Sequence, residues 1–112
     1  MKLQMTENDF RSLALAFPEA HEEPHFDRAS FRVGKKIFAT LAPGGETAMV
    51  RVAPPERLNA LLADYPQAFF SFGGWTVKNG SLGITLANAD VALVRELMAA
   101  SWAHSAPKRL QK

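Results

Sequence analysis

The sequence predicts an α+β fold in which an antiparallel β-sheet built from hairpins packs against three helices. Runs of alternating apolar and polar residues follow one another through short glycine-containing turns, a pattern typical of antiparallel strands. Three other segments repeat apolar residues at helical spacing. The chain has 112 residues, of which 47% are apolar and 21% charged. This composition fits one globular domain over residues 1–112.

The chain is expected to open with a helix. Thr6 followed by Asp9 resembles a capping box, and Pro18 ends the helical pattern. Residues 18–27 are polar and contain two prolines, which predicts a loop or an edge strand. The apolar stripe of this helix consists of Phe10, Leu13, Ala14 and Phe17.

Residues 25–41, HFDRASFRVGKKIFATL, alternate around Gly34 and predict a hairpin that is both apolar and basic. A two-residue loop, Gly34 and Lys35, would place Phe31 opposite Phe38. A three-residue loop, which we favour, would instead put Phe31, Val33, Ile37, Ala39 and Leu41 on one face. Arg32 lies opposite to Phe31 in both registers. The residues expected to supply the core are Phe26, Phe31, Val33, Ile37, Phe38 and Leu41.

A third strand and a second helix follow this hairpin. The turn residues 43–45 precede alternation over residues 46–52, which completes a three-stranded antiparallel meander. Pro54, Pro55 and Glu56 suit the start of a helix. Its buried face is expected to hold Leu58, Leu61, Leu62 and Tyr65.

The pair Asn79 and Gly80 gives the strongest turn signal in the chain and predicts a second hairpin. Its register would pair Val77 with Leu82 and Trp75 with Ile84, all on the buried face. The last helix would begin at Asn88 or Asp90 and end before Pro107. Its buried stripe is expected to contain Val91, Val94, Leu97, Met98, Ser101 and Trp102.

Composition excludes several classes of protein. The chain has no cysteine, which excludes disulfides and thiolate chemistry and suggests a cytoplasmic protein. No apolar run is long enough to span a bilayer. No serine has the surroundings of a nucleophile, so we expect no catalytic residue and no enzyme. Residues 21–27 contain histidines and carboxylates, but their spacing matches no established metal pattern, so neither a metal nor a cofactor is expected.

Charge is distributed unevenly although the net charge is only +2. Residues 1–27 hold two basic and six acidic residues, whereas residues 28–57 hold six basic and two acidic residues. Such asymmetry can steer a polyanion to one side of a protein, and ordinary solvated surface charge produces it as well.

Three blocks of sequence together resemble the MmcQ/YjbR family of small bacterial proteins. They are PEAHEEPHFDRASFRVGKKIFATL, FGGWTVKNGSLGITL and ELMAASWAHSAPKRL, and the likeness extends over about residues 10–110. The resemblance implies a double-wing α+β domain and a role in DNA binding. Residues 76–79 lack the basic pair that related sequences often carry there, which weakens phosphate binding by that wing. The candidate DNA-binding residues are Arg28, Arg32, Lys35, Lys36, Arg51, Lys78, Lys108 and Arg109.

Two functions are therefore expected from the sequence. In the first, a monomer binds duplex DNA through phosphate contacts from basic hairpin faces, without catalysis. In the second, the protein binds a protein partner or a small anion and has no nucleic-acid role. A concave apolar groove between the sheet and a helix, lined by Phe38, Phe69, Phe72 or Trp75, would indicate the second function.

Overall fold

A computed structural model of the chain describes residues 5–73 and 79–110 and shows a six-stranded antiparallel sheet with three helices. The α+β class predicted from the sequence is confirmed. The strands are β1 (Ala20–His25), β2 (Arg28–Val33), β3 (Lys36–Leu41), β4 (Thr47–Arg51), β5 (Phe69–Ser71) and β6 (Ser81–Thr85). The helices are α1 (Glu7–Leu15), α2 (Pro55–Asp64) and α3 (Val91–Ser105), and short 3-10 turns cover Leu86–Asn88 and Lys108–Leu110. The order of the strands in the sheet is β1-β2-β3-β4-β6-β5.

The sheet contains the predicted meander, with β1 added as an edge strand beside β2. Its other half arises because β6 pairs with β4, a long-range contact that the sequence does not reveal. Trp75 and Val77 lie outside the described residues. Ile84, however, pairs with Ala48 on one side and Phe69 on the other. The predicted pairing of Trp75 with Ile84 thus involves a residue outside the described ranges, and among the described strands β4 and β5 flank β6 on its two edges.

One face of the sheet, here called the inner face, carries the core and receives the helices. Helix α3 packs against β3 and β4, α1 packs against β1, and α2 packs against β5. The rings of Phe10 from α1 and Phe31 from β2 meet edge to face, 6.0 Å apart. Full burial of such side chains contributes about 1.5–3 kcal/mol each. The inner-face strand residues include Phe31, Val33, Ala39, Ala48, Val50, Leu82 and Ile84.

A β-bulge reconciles the two registers considered for the β2–β3 hairpin. Arg32 pairs with Ile37 beside the turn, as a two-residue loop requires, whereas Phe31 pairs with Ala39 beyond it. The extra residue is Phe38, and both Phe38 and Ala39 are fully buried. Since paired residues point to the same side of a sheet, Ile37 shares the face of Arg32. The expectation that Ile37 belongs to the core is wrong, because the bulge turns it to the opposite face.

Ser101 of α3 bridges β3 and β4 where their direct pairing stops at Ala39 and Val50. Its hydroxyl group donates to the Phe38 carbonyl oxygen at 2.6 Å and accepts from the Arg51 amide nitrogen at 3.0 Å. The serine is fully buried. A side chain of α3 thus replaces one backbone hydrogen bond between β3 and β4 and holds the backbone of Arg51 in place.

The predicted start of α1 and both predicted ends of α3 are confirmed, whereas α1 ends at Leu15 and leaves Phe17 beyond the helix. The capping box of α1 is complete, with Thr6 N donating to Asp9 Oδ2 at 2.9 Å and Asp9 N donating to Thr6 Oγ1 at 3.1 Å. Asp90 caps α3 by accepting from Leu93 N at 2.9 Å, and α3 ends before Pro107.

In residues 5–73 and 79–110, no helix has the length and apolar character needed to cross a membrane.

The buried faces of α2 and α3 agree with the helical pattern except at one position. Leu58 and Leu61 are buried, Leu62 is half-buried, and Trp102 of α3 is buried as predicted. Tyr65, expected in the core, is 46% exposed because α2 ends at Asp64 and Tyr65 lies just beyond it. That one core prediction is wrong.

Candidate ligand-binding cleft on the outer face of the sheet

The second face of the sheet, here called the outer face, carries the basic residues of β2. Strand alternation places Arg28, Ser30 and Arg32 opposite to the buried Phe31 and Val33. Cross-strand pairing continues this face across the sheet. From Ser30 it passes to Thr40 of β3, then to Met49 of β4, Gly83 of β6 and Phe70 of β5.

A cleft of about 420 Å³, here called the outer cleft, lies on this face. Its volume falls within the range of about 300–1,000 Å³ that small-ligand sites occupy. The turn between β1 and β2 contributes to it, as do the three central strands and the segment after β5. The lining residues are His25, Phe26, Asp27, Arg28, Ile37, Thr40, Met49, Arg51, Phe72 and Ser81.

Two arginines bring positive charge into the outer cleft. Arg28 Nε lies 3.6 Å from Asp27 Oδ1, a contact exposed enough to be weak. Arg51 Nη1 donates to the Asn79 carbonyl oxygen at 3.3 Å. Among residues 5–73 and 79–110, no carboxylate forms an ion pair with Arg51. Its guanidinium group can therefore offer its remaining donors to an anion.

A second depression, of about 400 Å³, adjoins the outer cleft and is lined by Lys35, Lys36, Ile37, Arg51, His104 and Ser105. Arg51 and Ile37 line both depressions. Within the described part of the chain, neither lysine has a carboxylate partner. The four cations Arg28, Arg51, Lys35 and Lys36 line these two depressions, which share Arg51, and are together called the basic track.

Arg32 also lies on the outer face, but its side chain is held by its own strand. Arg32 Nε donates to Ser30 Oγ at 3.0 Å, and this buried hydroxyl group donates to the Glu23 carbonyl oxygen at 2.7 Å. Arg32 is half-buried and does not line the outer cleft. It therefore adds charge beside the basic track without forming part of the cleft.

Two further candidate cations, Lys108 and Arg109, line neither depression. Arg109 forms a two-pronged ion pair with Glu19, with nitrogen to oxygen distances of 2.9 and 2.8 Å. Because the Glu19 carboxylate accepts these bonds, its pKa lies below the ordinary value. Lys108 lies beside Arg109 in the last 3-10 turn. Lys78 lies outside the described residues.

Phe26 is 92% exposed at the tip of the β1–β2 turn, so its expected place in the core is wrong. Its φ of +60° is left-handed, and it occupies the first position of a two-residue loop between the paired His25 and Arg28. Positive φ at this position belongs to a type II′ turn, which favours glycine. A non-glycine residue there costs about 1–3 kcal/mol, and such strain clusters at functional sites. The His25 ring supports Phe26 edge to face at 4.7 Å.

Phe72 brings a second aromatic ring to the outer cleft and is 46% exposed. It packs edge to face against Phe70, with ring centroids 5.2 Å apart. Phe70 in turn lies across Gly83, where an added Cβ would overlap its ring. The absence of a side chain at Gly83 therefore allows this aromatic pair to lie close to the sheet.

Only one of the described aromatics expected to line a groove does so. Phe72 lines the outer cleft, whereas Phe38 and Phe69 belong to the core. The groove prediction is wrong for these two, because the bulge and the pairing of β5 with β6 turn them to the inner face. Trp75 lies outside the described residues.

The histidines and carboxylates of β1 do not converge. Pairing with β2 places His21 and Glu23 on the outer face and Glu22 on the inner face, beside α1. His21 Nε2 lies 2.7 Å from Glu23 Oε2, while Glu22 accepts from Arg11. Across residues 5–73 and 79–110, no group of three histidines or carboxylates could hold a metal ion.

The fold and the outer cleft define a class of protein. It is an α+β domain whose antiparallel sheet packs helices on one face and presents arginines and aromatic rings on the other. The chain belongs to the YjbR family, because the YjbR family model matches residues 15–104. The resemblance seen in the sequence is therefore confirmed.

A solved structure shares this fold. The crystal structure of the Deinococcus radiodurans protein DR2400, which contains the domain DUF419, is similar with a TM-score of 0.73 and 23% sequence identity. The similarity covers 88% of this chain and 77% of that one. No match is found among curated proteins.

Proposed function

We propose that this protein binds DNA without catalysing a reaction on it, through contacts between the basic track and phosphate groups. The observation that carries the proposal is the position of Arg51, which lines the outer cleft with Arg28 and the second depression with Lys35 and Lys36. A group of cations that have few carboxylate partners suits a chain of phosphates. Arginine adds specificity of geometry, because its planar fork can bind two phosphate oxygens at once.

The strength of such binding depends on salt. With about four phosphate contacts, the logarithm of the affinity should fall by about 3.6 for each tenfold rise in salt. A rise from about 50 to about 200 mM salt should then weaken binding about 100-fold. Sequence preference should be slight, since phosphate contacts position a protein without reading bases.

Fluorescence anisotropy of a labelled duplex, titrated at several salt concentrations, tests the proposal. Arg51→Gln should weaken binding to all sequences alike and reduce the salt slope by about 0.9. Arg95→Gln is the matched control, because Arg95 is an exposed cation of α3 that lines neither depression. Absence of binding at about 50 µM protein in low salt, far above the concentration that non-specific contacts require, would remove the proposal.

A second candidate function is favoured by the mixed lining of the outer cleft, where Ile37, Met49 and two phenylalanines accompany the arginines. This lining suits a small anion with an apolar body. This function would be supported over the first if the protein showed no affinity for duplex DNA but bound the aromatic sulfonate ANS. Arg28→Gln and Arg51→Gln should then both weaken ANS binding.

A further inference from the structure

We infer that the outer cleft receives one unpaired nucleobase of DNA, which stacks on Phe26 or Phe72 while Arg28 and Arg51 hold the neighbouring phosphates. The inference rests on the proposed function and specifies the form of DNA that the cleft takes. Single-stranded DNA should therefore bind more tightly than a continuous duplex of the same sequence.

Phe26 is the first observation that supports an aromatic ligand. A phenylalanine that is 92% exposed contributes little to the core, and its left-handed φ makes the turn less favourable than glycine would. Its ring nevertheless lines the cleft and contacts the His25 ring edge to face. The fold thus holds an aromatic surface in water at a cost in stability, which is expected of a residue that serves binding.

Phe72 is the second observation, and it comes from another part of the chain. Phe70 supports this ring, and the space above Gly83 accommodates Phe70. Both cleft aromatics thus contact another ring. Preorganised rings lose little conformational freedom when a base stacks on them, and stacking tolerates any base because every base has a flat π-face.

The polar groups of the cleft suit a nucleotide better than a purely apolar ligand. Thr40 and Ser81 line the cleft with hydroxyl groups, which can both donate and accept hydrogen bonds. Arg28 and Arg51 supply positive charge beside the aromatic rings. This combination of stacking rings with adjacent cations is characteristic of sites that bind single-stranded nucleic acid.

A continuous duplex cannot fill the cleft in this way. Each base of a duplex is stacked on both faces and paired at its edge, so that it must leave the helix before a protein ring can stack on it. A single strand has no such cost. Duplex DNA would then contact the basic track alone, and the two aromatic side chains would contribute only to single-strand binding.

The test compares a labelled single strand of about ten nucleotides with the same strand annealed to its complement, at one ionic strength. Wild-type protein should bind the single strand at least about fivefold more tightly. Phe26→Leu and Phe72→Leu should each weaken single-strand binding about 5- to 100-fold, the loss expected for one stacked base. Both variants should leave duplex affinity within about twofold, since phosphate contacts are unchanged.

Tyr65→Leu provides the matched control. Tyr65 is also 46% exposed, but it packs against Phe69 and does not line the cleft. This variant should bind both forms of DNA as the wild type does. Thermal unfolding checks that all variants fold. Phe26→Gly relieves the strain of the left-handed φ, so this variant should have a melting temperature no lower than that of the wild type and should still lose affinity for the single strand.

The outcomes separate the inference from the proposed function. The inference alone would be overturned if the protein bound duplex DNA in a salt-dependent way but bound the single strand equally or more weakly. It would also be overturned if the phenylalanine variants bound the single strand as the wild type does. Absence of binding to either form would overturn both. Tighter single-strand binding that depends on Phe26 and Phe72, but not on Tyr65, would establish the base-binding cleft.

Discussion

Replacing Ser101 with alanine should destabilise the protein more than its small change in volume suggests. The substitution removes the hydroxyl group that joins the Phe38 carbonyl to the Arg51 amide, at 2.6 and 3.0 Å. Each buried backbone group left without a partner costs about 1–3 kcal/mol. Arg51 is only partly buried, so we place the combined loss at about 2–4 kcal/mol. Alanine is the better helix former and offsets about 0.5 kcal/mol of this loss.

The net loss of about 1.5–3.5 kcal/mol corresponds to a fall in melting temperature of about 6–15 °C for a domain of this size. Thermal and urea unfolding followed by circular dichroism measure it. Ser105→Ala is the control, because Ser105 is also buried on α3 but makes no side-chain hydrogen bond to a strand within the described residues. Its effect should stay within about 0.5 kcal/mol. If Ser101→Ala is equally mild, β3 and β4 can pair directly and the bridging role is refuted.

Three further predictions concern the backbone and the surface. Gly80→Ala should lower the free energy of unfolding, measured by urea titration, by about 2 kcal/mol or more, because φ is +77° and an added Cβ would overlap the Val52 carbonyl. Gly34→Ala should lower it by only about 1 kcal/mol in the same titration, because φ is +62° but an added Cβ would meet open space. Thr6→Ala should cost about 1 kcal/mol through loss of the N-cap, whereas Thr6→Ser should unfold at nearly the wild-type temperature. The lowered pKa of Glu19 means that its ion pair stabilises the fold above the ordinary pKa of 4.5 and ceases to do so as pH falls through the lower folded value. A stability difference between wild type and Glu19→Gln should thus be constant above about pH 6 and shrink in acid, and an unchanged difference near pH 2 would contradict this.

Local pattern predicted the parts of the fold that depend on neighbouring residues. The capping box at Thr6, the end of α3 before Pro107 and the meander of β2 to β4 all follow from sequence-local chemistry. The insertion of β6 beside β4 did not, because it joins segments about thirty residues apart through tertiary packing. The Asn79-Gly80 signal indicated a turn correctly but could not show which strands meet beyond it.

The bulge at Phe38 shows why the hairpin register could not be settled from alternation. Phe38 packs its ring against Phe17 at 6.1 Å, a contact that depends on where α1 lies. Burial of the Phe38 ring against Phe17 favours the extra residue in β3, and strand alternation alone does not reveal that contact. The outward position of Ile37, and hence part of the outer cleft, follows from the same bulge.

The sequence indicated which residue types the candidate site contains but not how those residues are arranged in space. The excess of cations in residues 28–57 drew attention to Arg28, Lys35 and Lys36, whereas the place of Lys35 and Lys36 beside Arg51 depends on β4 lying next to β3. Phe26 was missed, because an apolar residue in a hairpin sequence is expected to be buried. A signal was present: a two-residue loop at Phe26 and Asp27 would have placed that ring at a tip. DNA binding itself stays a prediction.

The two ends of the strand order bear on how the protein behaves in concentrated solution. An outermost strand offers unpaired N–H and C=O groups to any passing chain and is a common starting point for aggregation. β1 carries Pro24, which has no N–H group, and the acidic residues Glu22 and Glu23, while β5 is only three residues long. Proline, negative charge and shortness are recognised defences against such pairing. Both borders of the described sheet are thus poor templates for intermolecular β-sheet growth.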